Sequence, residues 1–138
     1  MFEIYSVNDD EIWRNWKIRT NKKSSHKLNF QKKYFNLIAS GEKVYEGRLN
    51  DEKRKLINIG DEIIFYKEPE KVESIKAVVL DRWTFKTFDD MADALDKSKL
   101  GFKNNSKQEM IDVYRKIYNL EREQKYGVVI FHIKVIND

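Results

Sequence analysis

At 138 residues the chain has the length of one domain, long enough to bury a core without covalent staples. It contains no cysteine, which excludes disulfides and thiolate metal or redox chemistry, and its two histidines, His26 and His132, stand 106 residues apart, so no metal site is expected. The net charge of +4 belongs entirely to residues 1–41, which hold 8 Lys/Arg against 4 Asp/Glu, whereas residues 42–138 hold 19 of each.

In chain order, "FEIYSV" alternates as a short strand does, and "NDDEIWRNWKI" reads as a helix capped by Asn8 or Asp9 with Ile12, Trp13 and Trp16 on one face. From Ile12 to Gly41 there is no acid. Arg14, Lys17, Arg19, Lys22, Lys23, Lys27, Lys32 and Lys33 are interleaved with Trp13, Trp16, Phe30, Tyr34 and Phe35. Cations beside aromatic faces suit a single-stranded nucleic acid, phosphates on one and bases on the other. The same pattern also describes a solvated face in front of core aromatics. "RTNKKSSHK" reads as an exposed linker, which makes residues 1–25 an N-terminal extension and residues 26–138 the domain.

"KLNF" is expected to be a strand, and "QKKYFNLIAS" a short helix with Tyr34, Leu37 and Ile38 on one face and Gly41 as its stop. "KVYEGRL" is extended. In "LINIGDEIIFYK", Gly60-Asp61 makes a tight turn before a buried strand over Ile63, Ile64, Phe65 and Tyr66, and Pro69 marks an exposed turn. "SIKAVVLDRWTF" is a long strand. "TFDDMADAL" is a helix with Thr87 as N-cap and Asp89 and Asp90 in its first turn. "SKQEMIDVYRKIY" opens on the capping box Ser106 and Glu109 and carries the apolar stripe Met110, Ile111, Tyr114, Ile117 and Tyr118. "YGVVIFHIKVI" is a closing strand with Val129, Phe131, Ile133 and Val135 on one face and Val128, Ile130, His132 and Lys134 on the other.

Short strands with helices inserted between them predict an α+β fold, a small, partly closed mixed β-barrel rather than a doubly wound sheet. No Gly-rich phosphate loop is present, so no nucleotide cofactor is expected. No apolar run approaches the roughly 20 residues of a membrane helix, and the N-terminus lacks the features of a signal peptide. The expectation is a cytoplasmic protein without a membrane partner.

The stretch "SGEKVYEGRL" sets Lys43, Glu46 and Arg48 at a helix-to-strand junction. Glu46 and Arg48, two apart on an extended segment, point to one side and present an acceptor beside a planar donor fork. They either pair with each other and pin the strand, or contact a ligand. With Glu42 adjacent and Glu46 three residues on, Lys43 is expected to be a charged donor rather than a nucleophile. Trp83, with Phe85 alternating beside it, is either a stacking wall or core. Tyr126, before Gly127, either faces the cleft or shapes the turn, and His132 is expected to pack.

The spacing Gly41, Lys43, Glu46, Arg48 resembles the G-x-K-x-x-E-x-R motif of ASCH domains. The resemblance extends to "KYFNLIASGEK", "INIGDEIIF", "WTFKTFDDM" and "YRKIYNLEREQKYGVVIFHIKV", in that order, over about residues 26–136. It implies a PUA-like barrel with a cleft lined by Lys43, Glu46 and Arg48, and a role in RNA metabolism or translation. One bacterial branch of that family is an amidohydrolase on N4-acetylcytidine, and ribonuclease activity is proposed for another. Lys43 matches the amidohydrolase lysine, Glu46 stands where that branch has threonine, and no glutamate lies between Glu73 and Glu109, Asp96 being nearest.

The resulting expectation is a protein binding RNA or a nucleoside-like ligand through Lys43, Glu46, Arg48, Trp83 and Tyr126, with Lys22, Lys23 and Lys27 on phosphates. One alternative is a hydrolase with Lys43 and Glu46 catalytic. Another is a protein-interaction module anchored by Trp13 and Trp16.

Overall fold

The computed structural model describes residues 24–136; the expected first strand and helix, the two tryptophans Trp13 and Trp16, and Lys22 and Lys23 lie outside the described residues. Five strands form one mixed sheet curled into a half-barrel: β1 (Ser25–Phe30), β2 (Tyr45–Leu49), β3 (Glu62–Lys67), β4 (Ser74–Phe85) and β5 (Val128–Val135). The order across the sheet is β1-β3-β4-β5-β2, so β1 and β2 are the two edges. β1 runs parallel to β3 and every other pairing is antiparallel. Among the described residues there are four α-helices: α1 (Lys32–Ala39), α2 (Phe88–Ala94), α3 (Lys107–Ile117) and α4 (Leu120–Tyr126). No helix among the described residues is long and apolar enough to cross a membrane.

Strand alternation divides the core into two layers. On β5, Val129, Phe131 and Ile133 face the barrel interior with Phe30, Phe35, Ile38, Ile63 and Phe65, while Val128 and Ile130 face the helices with Phe88, Met91, Leu100, Met110, Ile111 and Tyr114. β3 alternates too. Ile63 and Phe65 are buried but Ile64 and Tyr66 are only half so, which corrects the expectation of a continuous buried run. β1 begins at Ser25, inside the segment expected to be linker, because Ser25 to Phe30 ladder directly onto Glu62 to Lys67. Asp61 anchors that start, accepting from His26 Nε2 at 3.0 Å and from the Asn58 N–H at 3.0 Å.

A bulge in β4 places Val79 opposite Ile133 and Asp81 opposite His132, leaving Leu80 as the extra residue. The change of phase turns Arg82 inward, 5.5 Å from the centre of the Phe131 ring. Its guanidinium donates to the Arg54 carbonyl at 3.1 Å, to Asn50 Oδ1 at 2.8 Å, and to the Ile57 carbonyl. Arg82 thus ties the loop after β2 across the barrel. Burial pushes its pKa below the ordinary arginine value.

The expected caps are present: Thr87 accepts from the Asp90 N–H at 3.1 Å, and Ser106 and Glu109 form the reciprocal box. The expected stripe on α3 shortens. Met110, Ile111 and Tyr114 are buried, but Ile117 is exposed at the helix end. The turn there leads into α4, whose Glu123 is fully buried and joins three elements. Its carboxylate accepts from the Phe88 N–H at 2.9 Å and from Arg115 Nε and Nη2 at 3.0 Å each. Burial alone would raise the Glu123 pKa, but Arg115 and the Phe88 N–H more than offset it and hold it below the ordinary glutamate value. A carboxyl depressed in the folded state stabilises above its unfolded pKa and loses that contribution as pH falls through the folded value. Urea titrations below about pH 4.5 are therefore expected to show wild type losing stability to acid faster than Glu123→Gln, which starts weaker and lacks this proton linkage.

Candidate functional site: a charged seam between the edge strands

The first turn of the site is made by backbone geometry. α1 ends at Ser40, and Gly41 takes a positive φ of 83° that side chains rarely adopt. The chain then enters β2 with Lys43 and Glu46 buried and Arg48 mostly so. Glu46 lies between the two cations, with Oε2 2.8 Å from Arg48 Nε and Oε1 3.4 Å from Lys43 Nζ. The pairing expected for Glu46 and Arg48 is therefore present, and the same groups also line a cavity. A buried carboxylate survives only when such partners compensate its desolvation.

Lys43 donates to the Tyr45 carbonyl at 2.8 Å and to the Leu100 carbonyl at 2.7 Å, and forms an ion pair with Glu46. Glu42 plays no part in this, because it pairs with Lys103 at 2.6 Å. Burial, the largest influence, pushes the Lys43 pKa below the ordinary lysine value, and Glu46 opposes that fall. The expectation that neighbouring acids would dominate is thereby corrected. The loop carrying Leu100 approaches closely because residue 101 is glycine: a Cβ there would sit 3.2 Å from Leu37 Cδ1 and 3.3 Å from Lys43 Cδ.

Arg48 reaches across the open side of the barrel. Nη2 donates to the Asn29 carbonyl at 3.0 Å, and the guanidinium lies 5.0 Å from the centre of the Phe30 ring. It thereby links edge β2 to edge β1. Burial opposes its charge, but Glu46 outweighs that and the pKa lies above the ordinary arginine value.

A cavity of about 230 Å³ opens at this seam. Lys43, Glu46 and Arg48 form its floor, with Phe30, Tyr34, Phe102, Tyr114 and Tyr118 as aromatic walls and Asn29, Gln31 and Glu68 toward the rim. Burial, reinforced by Glu46, raises the Tyr34 pKa and pushes that of Tyr114 well above the ordinary tyrosine value. Tyr118 is raised as well, by burial against the counter-effect of Arg48. All three phenols are neutral hydroxyls at physiological pH. The floor thus offers fixed charge and the walls offer ring faces and hydroxyls, a combination suited to a flat polar ligand.

The other expected ligand contacts do not converge here. Trp83 stacks on His132 with ring centres 6.1 Å apart and meets Tyr45 edge-on at 5.5 Å, away from the cavity lining. Tyr126 lies beneath Arg122 and Lys125, whose charges are 5.7 and 5.2 Å from its ring centre. Lys27 is exposed on edge strand β1. Tyr34 and Phe30, from the basic and aromatic segment, line the cavity, as do Tyr114 and Tyr118 from the apolar stripe and Phe102, to which the sequence attaches no role. Tyrosines instead of leucine or isoleucine in a buried stripe are the one signal of a polar surface beneath α3.

Fold and site together define a PUA-like half-barrel whose cleft is built on a buried Lys-Glu-Arg motif. A model of the ASCH domain matches residues 28–137, and the chain belongs to the ASCH domain family. The crystal structure of a hypothetical protein, PH0355, superposes with a TM-score of 0.73 at 38% identity, covering 81% of this chain and 99% of that one. The solution structure of protein PF0455 from Pyrococcus furiosus gives 0.61 at 32% identity, covering 83% and 99%. A mutant of ZmASCH from Zymomonas mobilis gives 0.57 at 15% identity, covering 83% and 75%, a likeness of fold alone. Comparison with curated proteins gives no match.

Two substitutions test the site's construction. Lys43→Met leaves Glu46 and two buried carbonyls short of a partner, and is expected to cost about 3–5 kcal/mol, read as a lower urea midpoint at unchanged slope. Gly47→Ala places a Cβ 3.1 Å from both Ile130 Cδ1 and the Tyr114 hydroxyl. Overpacking of this kind costs about 1–3 kcal/mol, and a crystal structure of the variant is expected to show Tyr114 displaced toward the cavity.

Proposed function

We propose that this protein binds RNA or a nucleoside-like ligand by inserting a base into the seam cavity. The single observation that carries this reading is a cavity with aromatic walls over a buried, mixed-charge floor. A base presents two π-faces and an edge of donors and acceptors, and the cavity offers a counterpart to each. Arg48 and Glu46 are the groups proposed to read the edge. Lys43, donating to the Tyr45 and Leu100 carbonyls and paired with Glu46, is proposed to hold Glu46 in place. Membership of a PUA-like family linked to RNA supports the same reading. Lys27, together with Lys22 and Lys23, is proposed to meet phosphates of a longer strand, and Trp83 and Tyr126 to act outside the base cavity.

The test is a ¹⁵N amide NMR titration with the four ribonucleosides and a mixed pool of short single-stranded RNAs. Shifts centred on residues 41–48 and 114–118 are expected. If both segments stay unmoved at millimolar nucleoside and with RNA, the cavity is not a base site. Arg48→Lys keeps a cation beside Glu46 but removes the planar fork. It is expected to weaken binding about tenfold, the order of one hydrogen bond to a charged group.

A hydrolytic reading has one observation in its favour, the lowering of the Lys43 pKa by burial. It requires an amide or phosphodiester ligand and turnover that disappears in Glu46→Gln. Turnover retained in that variant would place any chemistry elsewhere.

A further inference from the structure

One hydroxyl on the cavity wall is buried and unsatisfied. Tyr114 is 5% exposed, and its oxygen has no hydrogen bond among the described residues. The ring is held in place, stacked on Phe88 with centres 4.7 Å apart and tilted against Phe102 at 5.6 Å. Gly47 lets the hydroxyl come against β2, where a Cβ would stand 3.1 Å from the oxygen. Among the described residues Arg54 Nε is the one side-chain atom sealed from solvent without a partner, so the Tyr114 oxygen opens onto the cavity that it lines. Tyr34 and Tyr118 line the same cavity but are only half-buried, which leaves their hydroxyls less removed from water.

A buried hydroxyl without a partner costs stability, and phenylalanine would fill the same space without that cost. A second unused donor stands on the floor. Arg48 donates from Nε to Glu46 and from Nη2 to the Asn29 carbonyl, and its other amino group has no hydrogen bond among the described residues. Both unused groups can donate, and one carbonyl oxygen has two lone pairs to receive them.

The size of the cavity decides which part of a nucleoside supplies that oxygen. At about 230 Å³ it falls below the range of roughly 300–1,000 Å³ for sites that enclose drug-sized ligands. The sugar therefore stays at the mouth, and the end of the base remote from it reaches the floor. That end carries a keto oxygen in uracil, guanine and hypoxanthine, and an amino group in cytosine and adenine.

We propose that Tyr114 and Arg48 together select a base with a keto group at its end remote from the sugar, over one with an amino group there. This rests on the base-binding reading of the cavity. Glu46 keeps lone pairs beyond those turned to Arg48 and Lys43, and accepts from the ring N–H beside the keto group. In the amino bases that ring nitrogen is a bare acceptor, and the amino group sets its protons against those of Arg48.

The test is calorimetric titration of the whole protein with two pairs of nucleosides matched in size, uridine with cytidine and inosine with adenosine, and with acetate alone. In each pair that binds, the keto member is expected to bind about tenfold or more tightly, the order of one hydrogen bond to a charged group. In Tyr114→Phe that preference is expected to fall toward parity while the urea midpoint stays at or above that of wild type. Nucleosides that bind without a keto preference overturn the selection and leave the cavity reading standing. A preference kept in Tyr114→Phe removes the hydroxyl from the recognition and overturns the proposal. A lowered midpoint in that variant would show the hydroxyl to be bonded within the protein, which also overturns it. Acetate binding as tightly as the keto nucleosides means that the two donors serve any oxyanion, against the assignment to a base. Nucleosides that all fail to bind overturn both readings.

Discussion

A carboxylate buried between two cations is the constraint on which this structure turns. Glu46 is inside the molecule with Lys43 on one side and Arg48 on the other, and each partner is itself removed from water. Such a group is stable only while every member keeps its partners. That requirement reaches outward through the partners' other bonds. Lys43 fixes the Leu100 loop and the start of β2, and Arg48 fixes the carbonyl of Asn29 on the far edge of the sheet. One ionic cluster thereby holds two sheet edges and a loop in register with one another.

Among the described residues β1 and β2 have no strand on their outer sides. Open edges are normally covered or blunted. Here the Val44 and Tyr45 N–H groups, at the start of β2, both donate to the Lys99 carbonyl. The remaining gap is spanned by the Arg48 side chain lying across Phe30. Closure by a side chain instead of a ladder leaves room between the edges, and that room is the cavity. Gly47 has the complementary effect on the helical side, where the absence of a Cβ lets the Tyr114 hydroxyl come against the strand.

The chemistry offered at the seam follows from this construction. Lys43 donates to two carbonyls and is paired with Glu46, so its burial does not translate into a free amine aimed at a substrate. Arg48 donates from Nε to Glu46 and from Nη2 to the Asn29 carbonyl, and its other amino group has no hydrogen bond among the described residues. The three phenols that surround the floor are neutral and can donate or accept. Likeness to PH0355 and PF0455 extends the same fold over nearly the whole of those chains, whereas ZmASCH, at 15% identity, shares the architecture without lending its residues to the argument.

Much of the fold is local in origin and legible in the sequence. The two-residue period of "VVIFHIKV" sorts β5 correctly onto both layers, Thr87 and the Ser106–Glu109 box mark two helix starts, and Gly41 marks the end of a third. The pairing of Glu46 with Arg48 is also local, since residues two apart on a strand share a face. What sequence could not decide is what lies opposite that face. Tyr114 and Tyr118 line one cavity with Glu46 only because the end of α3 comes over β2, Arg82 turns inward only because a bulge shifts its strand by one residue, and Glu123 is buried only where α2, α3 and α4 converge. Periodicity and capping act within a few residues of chain, whereas burial and partner choice depend on strand order and on contacts between segments up to about a hundred residues apart in numbering. Local pattern sets most of the elements and the motif, because caps and periodicity act along the chain; only packing between distant segments makes the motif close a seam, and makes that seam contain a cavity.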